Sequence, residues 1–238
     1  KHHPSKRFRP AALGLISTKI AICEYFMLAL TGLGLAYTVG MLFLAVAGAL
    51  LLMGVLYNVR PFRLKDRPFL DILSESVNNP LRLLLGWGMV IVSGFPPSSV
   101  LLAYLFGGAF LMSVKRLAEY RRIGDAEAAR QYRTSFGYYT EQLLLLSSFF
   151  YGSSSAFFLG IFLIKYRIEL LFTFPLFSLL FTWYLAIGLR TDSVAQAPEH
   201  LYKEWKLLFF IVIIAGTVLA LITVDFPSLE LFLEPNVY

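Results

Sequence analysis

Long apolar runs, separated by short basic segments, constrain the fold of this chain more than any other feature. A transmembrane helix needs about 20 mostly apolar residues, and in lipid only helices or closed barrels satisfy their backbone hydrogen bonds. The runs do not alternate with a period of two, so they indicate helices. We predict an all-α integral membrane protein with seven transmembrane helices, at residues 20–38, 41–57, 71–92, 100–115, 141–163, 170–188 and 207–224.

The composition supports a membrane protein. Of the 238 residues, 58% are hydrophobic and only 15% are charged, whereas a typical soluble domain has about 25% charged residues. The single cysteine, Cys23, excludes an internal disulfide. Repeats and low-complexity stretches are absent from the sequence. We therefore predict a single transmembrane domain over residues 1–238.

The basic residues are distributed unevenly along the chain. Of the 21 Lys and Arg, 18 lie in stretches 1–19, 58–70, 115–134 and 190–206, which share one membrane face if successive helices reverse direction. Cytoplasmic loops are enriched in Lys and Arg. We therefore predict a bacterial inner-membrane protein with cytoplasmic basic loops. Topology and anionic lipid headgroups explain the net charge of +6, so no nucleic-acid partner is expected.

The third apolar run begins with polar residues. Asp71, Glu75, Asn79 and Arg82 are separated by four, four and three residues, a spacing that places them on one face of a helix. An unpaired charge at mid-bilayer costs at least roughly 2.5 kcal/mol, so such residues face a partner or a wet cavity. Two explanations stay open: ion pairing between helices through Glu75 and Arg82, or a polar cavity open to the cytoplasm.

A second polar cluster follows the fourth run, in the segment "VKRLAEYRRIGDAEAARQYR". One explanation is a basic collar at a helix end, where long side chains reach the interface. The other is a site for phosphate groups, which Lys binds as a point charge and Arg as a two-pronged donor. Together with the basic segments 1–10 and 57–68, this cluster predicts the mouth of a cavity for a phosphorylated substrate.

Several motifs, in order, resemble those of UbiA-type intramembrane prenyltransferases. The first segment is similar to the one that follows the family's first aspartate-rich motif, and it matches at His3-Pro4, Lys6, Arg7, Arg9-Pro10 and Gly14. The stretch "LYNVRPFRLKDRPFLDIL" is similar to the family's Tyr-x-x-x-Pro-x-x-Leu-Lys loop. The resemblance places the aspartate-rich motif and two further helices upstream of Lys1.

The region around residue 115 resembles one branch of this family. Members that prenylate aromatic acceptors usually carry a second aspartate motif there. This chain instead resembles the branch of decaprenyl-phosphate phosphoribosyltransferase, through Lys115-Arg116-x-Ala118-Glu119, Arg133, Ser135, Tyr139-Thr140, Arg82 and Pro198-Glu199.

The resemblance implies a multi-helix bundle around a central cavity with a lateral opening for a polyprenyl chain. It implies a Mg²⁺-dependent transferase whose partners are a polyprenyl lipid, a phosphorylated co-substrate and membrane lipids, either as a homo-oligomer or in a membrane complex. The implied reaction is phosphoribosyl transfer to a polyprenyl phosphate. The alternatives are prenylation of an aromatic or other small acceptor from a polyprenyl diphosphate, a catalytically silent membrane subunit, and a transporter or channel.

The resemblance also implies roles for individual residues. Lys6 and Arg9 would contact phosphate near the metal, Tyr57 and Lys65 would line the loop over the cavity, and Asn79 and Arg82 would hold the polar substrate. Lys115, Arg116 and Glu119 would replace the second aspartate motif, with Glu119 as a candidate metal or ribose ligand. Arg133 completes the predicted substrate-binding set.

Overall fold

The computed structural model describes residues 13–91 and 94–226, with the side chain of Pro198 left aside. The described residues form α-helices and short 3-10 helices, and none of them is in a strand. The α-helices are α1 (Thr18–Val39), α2 (Met41–Asn58), α3 (Leu70–Ser76), α4 (Asn78–Val90), α5 (Ser98–Ile123), α6 (Ala126–Tyr132), α7 (Glu141–Tyr166), α8 (Phe174–Gly188) and α9 (Trp205–Ile222).

The chain divides into two compact units, Lys1–Phe95 with Asp125–Tyr138, and Pro96–Gly124 with Tyr139–Tyr238. In the first unit α2 packs against both α1 and α4. In the second unit the main packing is between α5 and α7. The prediction that residues 1–238 form a single domain stays a prediction.

Six helical segments in the described residues are long and apolar enough to cross a bilayer. They are Thr18–Val39, Met41–Asn58, Ser98–Ile123, Glu141–Tyr166, Ile168–Gly188 and Trp205–Ile222. The predicted all-α membrane architecture is therefore confirmed. Six of the seven predicted spans correspond to these segments, and the fourth extends eight residues further than predicted, to Ile123.

The predicted third span, 71–92, is corrected by the structure. It is divided into α3 and α4, which meet at Val77. Pro80 provides the physical reason, because it lacks an amide hydrogen for the carbonyl of Ser76 and its ring crowds that carbonyl. With 13 residues, α4 is shorter than the roughly 17 that a membrane-spanning helix needs.

Small and hydroxyl-bearing residues allow α5 and α7 to approach closely in the second unit. The Ser148 hydroxyl donates to Ser113 Oγ at 2.9 Å, and Ser155 Oγ donates to the Ala103 carbonyl at 2.9 Å. Such contacts are common between membrane helices, where small residues and hydroxyls replace hydrophobic burial as the source of association. Ser148 and Ser155 on α7 therefore serve the packing of this helix against α5.

Candidate substrate-binding site

Arg133 lies at the centre of a polar cluster in the first unit. Its Nη2 donates to the Lys65 carbonyl at 3.1 Å and to the Tyr57 hydroxyl at 3.2 Å. Its Nε lies 3.1 Å from Ser135 Oγ, 3.3 Å from the Lys65 carbonyl and 3.4 Å from Asp71 Oδ2. We call Tyr57, Lys65, Asp71, Arg133 and Ser135 the Arg133 cluster.

Local structure brings these side chains together. Asp125 caps α6, since its carboxylate accepts a hydrogen bond from the Ala128 amide at 2.8 Å, as expected for Asp before a helix. Arg133 follows α6 in an extended conformation (φ −151°) and precedes the 3-10 helix Thr134–Gly137. Lys65 lies in the 3-10 helix Leu64–Asp66. The cluster therefore joins the loop after α2 to the segment after α6.

Asp71 is the buried carboxylate of the cluster and, like Ser135, has no exposed surface. A buried carboxylate is expensive unless it is paired and hydrogen-bonded. Ser135 Oγ donates to Asp71 Oδ2 at 3.2 Å, and the Arg133 guanidinium lies next to the same oxygen. Arg133 is thus fixed in orientation, while its Nη1 makes no hydrogen bond within the described residues.

Lys65 is the cation of the cluster that is best suited to bind an anion. Its ammonium donates to Asn58 Oδ1 at 3.1 Å. Partial burial, then the nearby positive charges of Arg63 and Arg133, lower the pKa of Lys65 below its usual 10.5, and Asp66 offsets part of this effect. A bound phosphate would relieve this electrostatic penalty, because an opposite charge favours the protonated amine.

The remaining residues predicted for the first unit have different surroundings. Asn79 is half-buried on α4, and Arg82, three residues later, is exposed. Neither side chain has a hydrogen-bond or ion-pair partner within the described residues. Ion pairing between helices through Glu75 and Arg82, one of the two explanations left open, is therefore not seen there. Lys6 and Arg9 lie outside the described residues.

In the second unit, the structure pairs two of the predicted residues. Arg116 Nη1 lies 2.5 Å from Glu119 Oε2, and both side chains are largely buried. Lys115 is half-buried on the same helix. The next arginines are used structurally: Arg121 pairs with Glu141, and Arg122 Nη1 donates to Gln196 Oε1 at 2.9 Å. These two arginines therefore connect the end of α5 to neighbouring segments, and both explanations of the cluster, the collar and the phosphate site, stay predictions.

The described residues contain no cluster that would hold the magnesium ion implied by the sequence resemblance. Among residues 13–91 and 94–226, no three His, Cys, Asp or Glu side chains are close enough to hold a metal. Glu119, the candidate ligand, already accepts from Arg116. Its role as a metal or ribose ligand stays a prediction.

Sequence reasoning placed Tyr57, Lys65 and Arg133 in the site, and the structure brings these three together. The sequence-based prediction did not include Asp71 and Ser135 among the site residues. A signal for Asp71 was present, since a carboxylate at the start of an apolar run needs a partner. Its partner Arg133 lies 62 residues later in the sequence, so local residue spacing could not identify it.

The comparisons with known proteins agree with this architecture. A profile of the UbiA prenyltransferase family matches residues 1–214. The structure of a UbiA homolog from Archaeoglobus fulgidus bound to Cd²⁺ is similar with a TM-score of 0.65 and 19% identity, covering 92% of this chain and 78% of that one. At this identity the likeness concerns the fold alone. A search of curated proteins found no match.

Proposed function

Since the chain belongs to the UbiA prenyltransferase family, we propose that it is a membrane transferase that moves a phosphoribosyl group onto a polyprenyl phosphate. In this reaction a phosphate oxygen of the lipid attacks the anomeric carbon of phosphoribosyl pyrophosphate. A new carbon–oxygen bond forms, the bond to pyrophosphate breaks, and pyrophosphate leaves with the bonding electrons. The product is a phosphodiester.

The observation that carries this proposal is the Arg133 cluster. The leaving pyrophosphate gains negative charge as its bond to carbon breaks, and preorganised cations stabilise such charge in a site with little water. Lys65 supplies an ammonium, and Arg133 holds the Lys65 backbone through the carbonyl hydrogen bond at 3.1 Å. We assign phosphate binding to Lys65 and a positioning role to Arg133.

The segment around residue 115 supports phosphoribosyl transfer over prenylation of an aromatic acceptor. Where aromatic-acceptor members carry aspartates, this chain has Lys115 and Arg116. Its one acidic residue there, Glu119, is paired with Arg116. Cations at this position favour direct contacts to a phosphorylated substrate.

Mass spectrometry of the lipid products tests the proposal. Purified protein is incubated with polyprenyl phosphate and phosphoribosyl pyrophosphate, and a parallel reaction contains a polyprenyl diphosphate and an aromatic acid. We expect a phosphoribosylated lipid in the first reaction and no product in the second. Product in the second reaction alone would replace this proposal with aromatic prenylation, and no product in either would support a silent subunit.

The same assay addresses the metal. Because the homolog from Archaeoglobus fulgidus is bound to Cd²⁺, we include a divalent ion in the proposal and run each reaction with Mg²⁺ and with EDTA. Loss of product in EDTA, restored by added Mg²⁺, is the expected result. Undiminished product in EDTA would remove the metal from the proposal.

A further inference from the structure

A second basic site lies on the loop between α2 and α3, and none of its residues belongs to the Arg133 cluster. It is an open pocket of about 520 Å³, lined by Arg60, Pro61, Phe62, Arg63, Asp66 and Arg67. Three guanidinium groups and one carboxylate give the lining a net charge of +2. The pocket is therefore suited to an anion.

The carboxylate in the pocket is already neutralised. Asp66 Oδ2 lies 2.7 Å from Arg63 Nε. Arg60 and Arg67 are exposed, and neither side chain has a hydrogen-bond or ion-pair partner in the part of the chain that the structure describes. Two arginines with unused donors thus line one concavity, an arrangement that matches the oxygens of a phosphate group.

The backbone of this loop is held in an unusual conformation. Arg63 has φ +35°, in the left-handed region that non-glycine residues rarely occupy. Its amide donates to the Val59 carbonyl at 2.8 Å, and its side chain pairs with Asp66. These contacts fix the loop locally, so the pocket is shaped before a ligand binds, and strained backbone that surrounding contacts enforce is often found at binding sites.

Apolar side chains around the pocket indicate which anion it takes. Pro61 and Phe62 line the pocket, and Phe62 is 52% exposed. The loop begins directly after the candidate span Met41–Asn58, which places it at a membrane interface. Arginines beside exposed aromatic and aliphatic residues are the combination that binds an anionic headgroup with its acyl chains.

We propose that this pocket binds the phosphate of an anionic phospholipid, with Arg60 and Arg67 as its direct ligands and Phe62 against the lipid chains. The site is distinct from the proposed substrate site and does not depend on the proposed reaction. It would hold the loop after α2 at the membrane surface.

Native mass spectrometry of the detergent-purified full chain tests this site. The protein is titrated with phosphatidylglycerol or with zwitterionic phosphatidylcholine, and the double variant Arg60→Gln/Arg67→Gln is compared with the wild type. We expect the wild type to retain phosphatidylglycerol preferentially and the double variant to bind it about tenfold more weakly. The charge-matched control Lys203→Gln/Lys206→Gln removes two exposed cations from elsewhere and should keep wild-type affinity.

A competition experiment separates a lipid from a soluble ligand. Glycerol 1-phosphate carries the phosphate without acyl chains, and we expect millimolar concentrations of it to leave bound phosphatidylglycerol in place. Equal lipid retention by the Arg60→Gln/Arg67→Gln variant and the wild type would overturn the proposal. So would displacement by glycerol 1-phosphate at the concentrations at which the lipid binds, because the pocket would then recognise a soluble phosphate.

Discussion

The guanidinium of Arg133 lies 3.4 Å from the carboxylate of Asp71, which has no exposed surface. The two residues are 62 positions apart in the sequence, yet they join the loop after α2 to the segment after α6 within one compact unit. The same guanidinium donates to the carbonyl of Lys65. One arginine therefore neutralises a buried acid and positions the lysine that we assign to phosphate binding.

Removing Arg133 should destabilise the protein. Breaking a buried ion pair leaves a charge without its counter-ion and costs roughly 3–5 kcal/mol. We expect Arg133→Met to lower the free energy of unfolding by about 3 kcal/mol, the lower end of that range, because Ser135 still donates to Asp71. Unfolding by SDS titration in mixed micelles measures the change.

A double-mutant cycle isolates the coupling between the two residues. Asp71→Asn removes the buried charge, so the double variant should lose less stability than the sum of the two single variants. Arg130→Met changes an exposed arginine on α6 and should alter stability by at most about 0.5 kcal/mol. Additive effects of Arg133→Met and Asp71→Asn would show that the pair is not coupled.

The lowered pKa of Lys65 predicts a pH dependence. In the unfolded chain the Lys65 pKa returns to its usual 10.5. At a pH between the folded and unfolded pKa values, the unfolded state binds more protons than the folded state. Protein stability should therefore rise with pH in this window.

The same lysine predicts a pH dependence of phosphate binding, because a bound anion raises the Lys65 pKa. Phosphate binding should therefore take up a proton, and affinity should fall as pH rises through the pKa of the free protein.

NMR titration of ¹³C-methylated lysines measures the Lys65 pKa directly. Arg63→Gln should raise it and Asp66→Asn should lower it further, because these residues have opposite electrostatic effects on Lys65. Lys203, an exposed lysine, serves as the internal control. A Lys65 pKa that is not below 10.5 would contradict the account.

Arg82 should affect activity without affecting stability. It is exposed and has no ion-pair partner within the described residues. If it holds the polar substrate, Arg82→Ala removes a charged hydrogen bond of about 1.5–3 kcal/mol and lowers kcat/KM by at least about tenfold. Turnover in detergent and unfolding by SDS are measured together, with Arg130→Ala as the control. Undiminished turnover of folded Arg82→Ala would remove this residue from the site.

The proposed orientation can be tested by cysteine labelling. In a Cys23→Ser background, single cysteines replace Glu127, in the basic stretch 115–134, or Lys165, in the last turn of α7. Both positions are exposed, and they lie on opposite membrane faces if successive helices reverse direction. If the basic loops are cytoplasmic, a membrane-impermeant maleimide labels position 165 in intact cells and position 127 only after permeabilisation. The reverse pattern would invert the topology.

The all-helical membrane architecture was predictable because the length of an apolar run is a property of local sequence. The break at Val77 was missed, although Pro80 is visible in the sequence, because the apolar run continues to Val90 and resembles one span. Asp71 and Ser135 were missed as a pair because side-chain contacts across 64 residues depend on tertiary packing. The pocket that contains Arg60 and Arg67 was also not predicted. The number of arginines in this stretch indicates a basic loop, but it does not show that the loop forms a concave surface.

The most direct test of the account is the affinity of the purified protein for inorganic pyrophosphate, measured by isothermal titration calorimetry. Losing one charge-assisted contact should weaken pyrophosphate binding by at least about tenfold, and we predict this loss for Lys65→Met. We predict a smaller loss for Arg133→Lys, because this variant keeps the positive charge but loses the two-pronged geometry of the guanidinium. Lys203→Met should bind as the wild type does. Equal affinities for Lys65→Met and Lys203→Met would contradict the claim that the Arg133 cluster is the phosphate site.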